Sequence, residues 1–230
     1  MKAILKPRTA GVPTLQRLPL YLRLLREMHQ AGDTYASGAV VARALQLDPI
    51  LVRKDLAITG VSGRPRLGFP VAALITAIEA FLGWNNTTDA FLCGVGSLGR
   101  ALLGYDGFRQ HGLRIIAAFD VNPQKIGLKE HGVKVLDLAV MPAMIRRLHV
   151  QLGIITVPSE AAQPVAEAMV EAGIRGIWNF TPVKLDLPRE IVIQRVDLAS
   201  SLAVLSHRLF MQGNTRAVAD TVAAGDSTLS

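Results

Sequence analysis

The segment Gly94-Val95-Gly96-Ser97-Leu98-Gly99 constrains this chain more than any other. It follows a short apolar run, Ala90-Phe91-Leu92-Cys93, and residues 97–109 suit a helix. Three glycines so spaced between a strand and a helix each have a task at a dinucleotide site. Gly94 makes the tight turn, Gly96 lets a pyrophosphate approach the backbone, and Gly99 lets helix pack on strand. The helix N-terminus offers unpaired N–H groups to phosphate. Asp120 supports the reading, because it ends the next apolar run twenty-one residues after Gly99. A carboxylate there accepts hydrogen bonds from an adenine ribose and repels a 2′-phosphate, which favours NAD(H) over NADP(H). A glycine-rich turn without a ligand is the alternative reading.

The pattern around this segment alternates. Leu113–Asp120, Leu152–Val157, Gly176–Phe180 and Ile191–Val196 read as strands. Helices are expected after Asp137, over 159–172 and over 197–211. Such alternation predicts a mainly parallel sheet covered on both faces. Two strand ends fall on the ligand side of a sheet of this kind: Thr156-Val157-Pro158 and Asn179-Phe180-Thr181-Pro182. Either segment can line a nicotinamide pocket or serve plain strand-to-loop packing. The last helix carries Leu198, Leu202, Leu205 and Leu209 on one stripe, as core or as a dimer element. The tail after Gly213 is small and polar and is expected to fray.

The first third has a different texture. Residues 13–30 read as a helix, with Leu15, Leu18, Tyr21, Leu22, Leu25 and Met28 at spacings of three and four. Ser37 caps a short second helix whose inner face is read as Val40, Val41, Ala44 and Leu45. Asp48-Pro49 starts a third helix, 49–58, with Ile50, Leu51 and Leu56 inward and Arg53 and Lys54 outward. Residues 61–69 are too rich in Gly and Pro for a helix and read as a hairpin or loop carrying Arg64 and Arg66. Pro70 opens a fourth helix, and Asn85-Asn86-Thr87-Thr88 marks the domain boundary.

Charge supports a division of labour. The net charge is +7 overall; residues 1–84 hold 11 Lys and Arg against 5 Asp and Glu, whereas 85–230 hold 14 against 13. A basic head on a near-neutral body suits a polyanion. In a helix-turn-helix, Arg53 and Lys54 reach phosphates and base edges, and Arg64 and Arg66 serve as a wing. A solvated face is the bland alternative for the same residues. The single cysteine, Cys93, excludes an internal disulfide and a cysteine metal cluster. It reads as a small buried hydrophobe, with a thiol sensor as the alternative. The five histidines lack metal spacing, so no metal and no catalytic residue are expected. No apolar run is long enough to span a bilayer and no signal-peptide core follows Lys2, Lys6 and Arg8, so a soluble cytoplasmic protein is expected.

The combination of motifs resembles the Rex family of redox-sensing repressors across nearly the whole chain. The matching stretches are Val52-Arg53-Lys54-Asp55-Leu56, Gly94 to Leu102, Ala118-Phe119-Asp120-Val121-Asn122-Pro123 with Lys125-Ile126-Gly127, Ile177 to Pro182, and Val196-Asp197-Leu198. The resemblance implies an α/β chain in three parts. A winged helix-turn-helix domain spans 1–84, a Rossmann-like NAD(H) domain 85–196, and a domain-swapped dimerisation helix with its tail 197–230. It implies a homodimer that binds a palindromic operator when NADH is low and releases it when NADH binds. It puts the cofactor on Gly94, Val95, Gly96, Ser97, Leu98, Gly99, Asp120, Val121, Asn122, Lys125, Thr156, Val157, Pro158, Asn179, Phe180, Thr181 and Pro182. DNA falls to Ser37, Arg53, Lys54, Arg64 and Arg66, and coupling to Arg100, Tyr105 and Asp197. One segment departs from the family. Its aromatic and acidic Tyr-Phe-Gly-Glu-Phe-Gly pattern is here Ala57-Ile58-Thr59-Gly60-Val61-Ser62-Gly63, and its Lys-Arg-Gly wing tip is Arg64-Pro65-Arg66.

Two rivals differ in class. An NAD-dependent dehydrogenase needs a proton donor and a substrate pocket, and no His–Asp or Lys pair stands out beyond residue 85. A repressor sensing another nucleotide sits poorly with Asp120 and the intact glycines.

Overall fold

The computed structural model describes residues 9–197 and 199–211. Leu198, Lys2, Lys6, Arg8 and the tail after Gly213 lie outside those residues. The chain forms two compact units: residues up to Thr88 with Asp106–Arg114, and Asp89–Tyr105 with the residues from Ile115 onward.

The first unit holds α1 (Val12–Gln30), β1 (Tyr35–Ala36), α2 (Gly38–Leu45), α3 (Pro49–Ala57), β2 (Phe69–Pro70) and α4 (Val71–Leu82). Leu18, Tyr21, Leu22 and Leu25 of α1 pack with Val41, Val52, Leu56, Val71, Leu74 and Ile78 in one core. Local chemistry sets the helix starts. Ser37 accepts the amide of Val40, while Asp48 accepts those of Ile50 and Leu51 at 2.7 and 3.0 Å with Pro49 in the first turn.

Two inner faces differ from the sequence reading. In α2 the buried residues are Gly38, Val41 and Ala42, and Val40 and Ala44 are exposed. In α3 they are Val52, Asp55 and Leu56, and Ile50 is 62% exposed. Two residues advance a helix by about 200°, so Val52 inside forces Ile50 outside, beside Arg53 and Lys54. After α3 the chain makes a short hairpin in which Arg64 and Gly68 exchange both backbone hydrogen bonds, at 2.7 and 3.0 Å. β2 then pairs antiparallel with β1. The segment Asp106–Arg114 joins this unit through α6 (Gly107–Gln110) and His111. The His111 ring lies 4.2 Å from that of Trp84, and Gly112 accepts the Thr88 amide.

The second unit is built on a seven-stranded sheet of order β5-β6-β4-β3-β7-β8-β9. The strands are β3 (Thr88–Cys93), β4 (Leu113–Asp120), β5 (Lys129–Glu130), β6 (Val133–Asp137), β7 (Leu152–Ile155), β8 (Gly176–Asn179) and β9 (Val192–Arg195). The pairs β4–β6, β3–β7, β7–β8 and β8–β9 are parallel, and β5 runs antiparallel to β6. β5 and β6 carry no strong apolar run and escaped the sequence reading. The helices are α5 (Ser97–Leu103), α7 (Met141–Leu148), α8 (Ser159–Ala172) and α9, residues 199–211. The helix expected over 97–109 is two pieces, α5 and α6, broken at Gly104-Tyr105-Asp106. Phe91 and Phe119, edge to face at 5.0 Å, centre a core that α7 and α8 help to close. The strand order is that of a doubly wound dinucleotide fold and reverses between β3 and β7.

Candidate nucleotide and nucleic-acid sites

At that reversal point, the carboxyl ends of β3 and β7 open onto a cleft of about 500 Å³. Its walls include Gly94, Gly96, Ser97, Leu98, Asp120, Val121, Lys125, Thr156, Val157 and Pro158, ten of the seventeen residues expected at a cofactor. Gly94 and Gly99 take the turn and packing tasks expected of them. Gly94 has φ +96, and a Cβ there would stand 2.6 Å from the Thr156 carbonyl oxygen. A Cβ on Gly99 would strike the Gly94 carbonyl oxygen and meet Thr156 Oγ1 at 3.0 Å. Gly96 has an ordinary extended φ of −80° and nothing within 4 Å of the Cβ position. Neither backbone nor packing excludes a side chain at Gly96; the space it leaves belongs to the cleft. The residues therefore fit a dinucleotide, whose pyrophosphate needs that close approach.

Asp120 is 8% exposed. Its Oδ2 accepts the Val95 amide at 2.8 Å and Lys125 Nζ at 2.9 Å, and its Oδ1 accepts the Asn122 amide at 2.9 Å. Burial opposes its ionisation, but the Asn122 amide, Lys125 and the Val95 amide outweigh burial and lower its pKa. It stays a carboxylate and an acceptor. Val95 and Asn122 thus hold the Asp120 carboxylate and do not line the cleft themselves. Thr156 Oγ1 donates to the carbonyls of Cys93 and Gly94 at 3.0 and 2.7 Å, which ties the glycine loop to β7.

The segment Asn179-Phe180-Thr181-Pro182 does not line this cleft. Asn179 is buried and builds a turn: its Oδ1 accepts the Thr181 amide and hydroxyl, and its Nδ2 donates to the Val183 carbonyl. Cys93 is fully buried, with Sγ 3.1 Å from Met141 Sδ. Burial first, then the charge of Asp120, raises its pKa, which suits a small buried hydrophobe. Arg100, Tyr105 and Asp197 are all exposed. Asp197 caps α9, accepting the amides of Ala199 and Ser200 and the Ser200 hydroxyl.

In the first unit, Arg53, Lys54, Arg64 and Arg66 are exposed, and Ser37 spends its hydroxyl on the cap of α2. Arg66 takes φ +63 at the hairpin tip. Sequence reasoning missed Asp55. It is 3% exposed, on the inner face of α3, and receives Arg17 Nε at 2.6 Å, Tyr21 Oη at 2.7 Å and Thr14 Oγ1 at 3.0 Å. Burial opposes its charge, but Arg17, Tyr21 and Thr14 together lower its pKa. Tyr21 is pushed up to about 12, by burial first and then by its bond to Asp55. The signal was present in sequence: Arg17 and Tyr21 bracket the buried Leu18 on α1, but nothing local pairs them with residue 55.

Residues 12–57 match the family described as putative DNA-binding protein N-terminus, and residues 85–183 match CoA binding domain. Over 200 residues the chain is 46% identical to the redox-sensing transcriptional repressor Rex of Treponema denticola, covering 87% of this chain and 95% of that protein. The chain belongs to the Rex family of redox-sensing transcriptional repressors. The Rex protein of Bacteroides fragilis is 42% identical over 197 residues, 86% of this chain and 90% of that one. A crystal structure of RSP, a Rex-family repressor, in complex with β-NAD+ and operator DNA matches with a TM-score of 0.84 at 30% identity, covering 91% of this chain and 97% of that one. RSP in complex with β-NADH matches with a TM-score of 0.81 at 29% identity, covering 91% and 98%. These relatives are named transcriptional repressors. No helix among the described residues is long and apolar enough to cross a membrane.

Proposed function

We propose that this Rex-family chain works in the cytoplasm as a homodimer that binds a palindromic operator and releases it when NADH occupies the cleft. The open space at Gly96, beside a carboxylate kept ionised at Asp120, carries the cofactor half. Gly94, Gly96, Ser97 and Leu98 receive the pyrophosphate, with Val95 and Gly99 shaping the loop that holds them, and Asp120, Val121 and Lys125 receive the adenine ribose, with Asn122 holding Asp120 in place. Thr156, Val157 and Pro158 border the nicotinamide side, and Asn179, Phe180, Thr181 and Pro182 brace the strand end behind them. Arg53 and Lys54 of α3 face the major groove, and Ile50 on the same face offers an apolar surface to a thymine methyl. Arg64 and Arg66 reach from the wing, and Ser37 holds the start of α2 at the DNA surface. The apolar stripe of α9, with Leu202, Leu205 and Leu209 exposed, supports exchange of this helix between protomers. Arg100, Tyr105 and Asp197 couple cofactor binding to that interface.

A ligand shifts such a switch only by its differential affinity for the two states. The test is release of a duplex selected by the protein from a random-sequence pool. NADH is expected to release it at far lower concentration than NAD+. Equal release by the two would sink the redox reading.

A further inference from the structure

The β1–α2 junction Tyr35-Ala36-Ser37-Gly38 touches Arg53 and Arg64, two of the three arginines of the DNA-facing surface, while carrying no charge of its own. Gly38 is buried in the first turn of α2 and lies outside the left-handed region. A Cβ there would stand 2.9 Å from Arg53 Cγ and 3.7 Å from Nε, and the three nearest atoms all belong to Arg53. The arginine stem therefore runs across the bare glycine. On the other side, Gly68 (φ +95) brings the returning strand of the wing so close that a Cβ would strike the Ala36 carbonyl and stand 2.7 Å from Ser37 Cα. The Arg64 guanidinium sits 5.4 Å from the centroid of the Tyr35 ring, within cation–π range.

We propose that Tyr35 and Gly38 are positioning residues for operator recognition, seating Arg64 of the wing and Arg53 of the recognition helix before DNA arrives. This rests on the reading of those arginines as DNA-facing. An unseated arginine loses its rotamer freedom when it docks, whereas a stem already seated has less to lose. The benefit falls on contacts that need fixed geometry, such as bidentate bonds to a base, and not on loose phosphate attraction.

The experiment compares affinity for the selected duplex and for a shuffled duplex of equal length, at low salt so that weakened variants stay measurable. Thermal unfolding and NADH binding are followed in parallel. Gly38→Ala is expected to weaken the selected duplex roughly tenfold, to leave the shuffled duplex little changed, and not to lower the melting temperature, since alanine is the better helix former. Its cost is expected to vanish in an Arg53→Ala background. Tyr35→Leu is expected to cost about threefold, to cost nothing in an Arg64→Ala background, and to be rescued by Tyr35→Phe. Wild-type affinity in Gly38→Ala and Tyr35→Leu, or costs that persist undiminished without the arginines, would overturn the proposal, as would a lowered melting temperature for Gly38→Ala. A wild-type chain that selects no duplex from the pool would overturn the repressor reading and this proposal with it.

Discussion

Asp55 and Gly96 are residues whose roles follow from what surrounds them. Asp55 is a buried carboxylate matched by one guanidinium and two hydroxyls, all donated from α1. Removing its charge leaves the largely buried Arg17 unpaired. Asp55→Asn is expected to destabilise the first unit by roughly 3 kcal/mol, the low end for a broken buried ion pair. The pH dependence has a definite sign. The folded pKa of Asp55 is lowered from 3.8, so its contribution is complete above the unfolded value and is lost as pH falls through the folded one. Urea unfolding followed between neutral pH and about pH 3 is expected to show that acid limb in the wild type and a flatter one in Asp55→Asn. Equal limbs would remove Asp55 from the account. Gly96 presents the converse case, a residue defined by empty space. Gly96→Val has an extended backbone to sit on and no neighbour to strike. Its melting temperature is expected to stay near wild type, while NADH binding falls at least roughly tenfold from overfilling the cleft. Fluorescence titration of NADH measures this, and unchanged affinity would move the pyrophosphate elsewhere.

At the scale of elements, two helices stand out for opposite reasons. α3 is short, yet it is fixed at both ends of its function: Asp48 and Pro49 set its start, and Asp55 ties its inner face to α1. That leaves Ile50, Arg53 and Lys54 turned outward together. α9 is exposed along its length, including Leu202, Leu205, Leu209 and Phe210. An apolar stripe on an exposed helix is a strong sign of a partner surface. Leu205→Glu changes a solvent-facing residue of the single chain, so the fold is expected to survive. Dimerisation is expected to weaken roughly 100-fold, since each partner would have to bury an unpaired charge. Sedimentation across a concentration series reads the change. An unaltered dimer would show that α9 is not the interface.

At the scale of the whole molecule, the proposed switch links a basic surface in one unit to a nucleotide cleft in the other. Coupling of this kind is reciprocal. If NADH lowers operator affinity by some factor, saturating operator must lower NADH affinity by the same factor. Titrating NADH with and without the selected duplex checks this, and unequal factors would show that release is not a linked equilibrium of one switch.

Much of this architecture was legible in the residues because it depends on local chemistry. Gly94 and Gly99 are read from backbone sterics, Asp48-Pro49 from capping and the strand Leu113–Asp120 from its apolar run, and the structure agrees with each, while the strand read as Leu152–Val157 ends at Ile155. Resemblance of motifs supplied the family. What only the tertiary structure decided concerns partners distant along the chain. It turned Ile50 outward and Asp55 inward, because the core shared by α1 and α4 fixes the rotation of α3. It broke the helix after Leu103 and gave Asp106–Arg114 to the first unit, where His111 meets Trp84. It added β5 and β6, which hydrogen-bond to neighbours instead of announcing themselves by hydrophobicity. The glycine loop shows both sides of the division. Its sequence determines that the backbone can turn and lie bare. The fold decides that the bare surface faces a cleft with Asp120 on its wall, because only the packed sheet brings β3, β4 and β7 side by side.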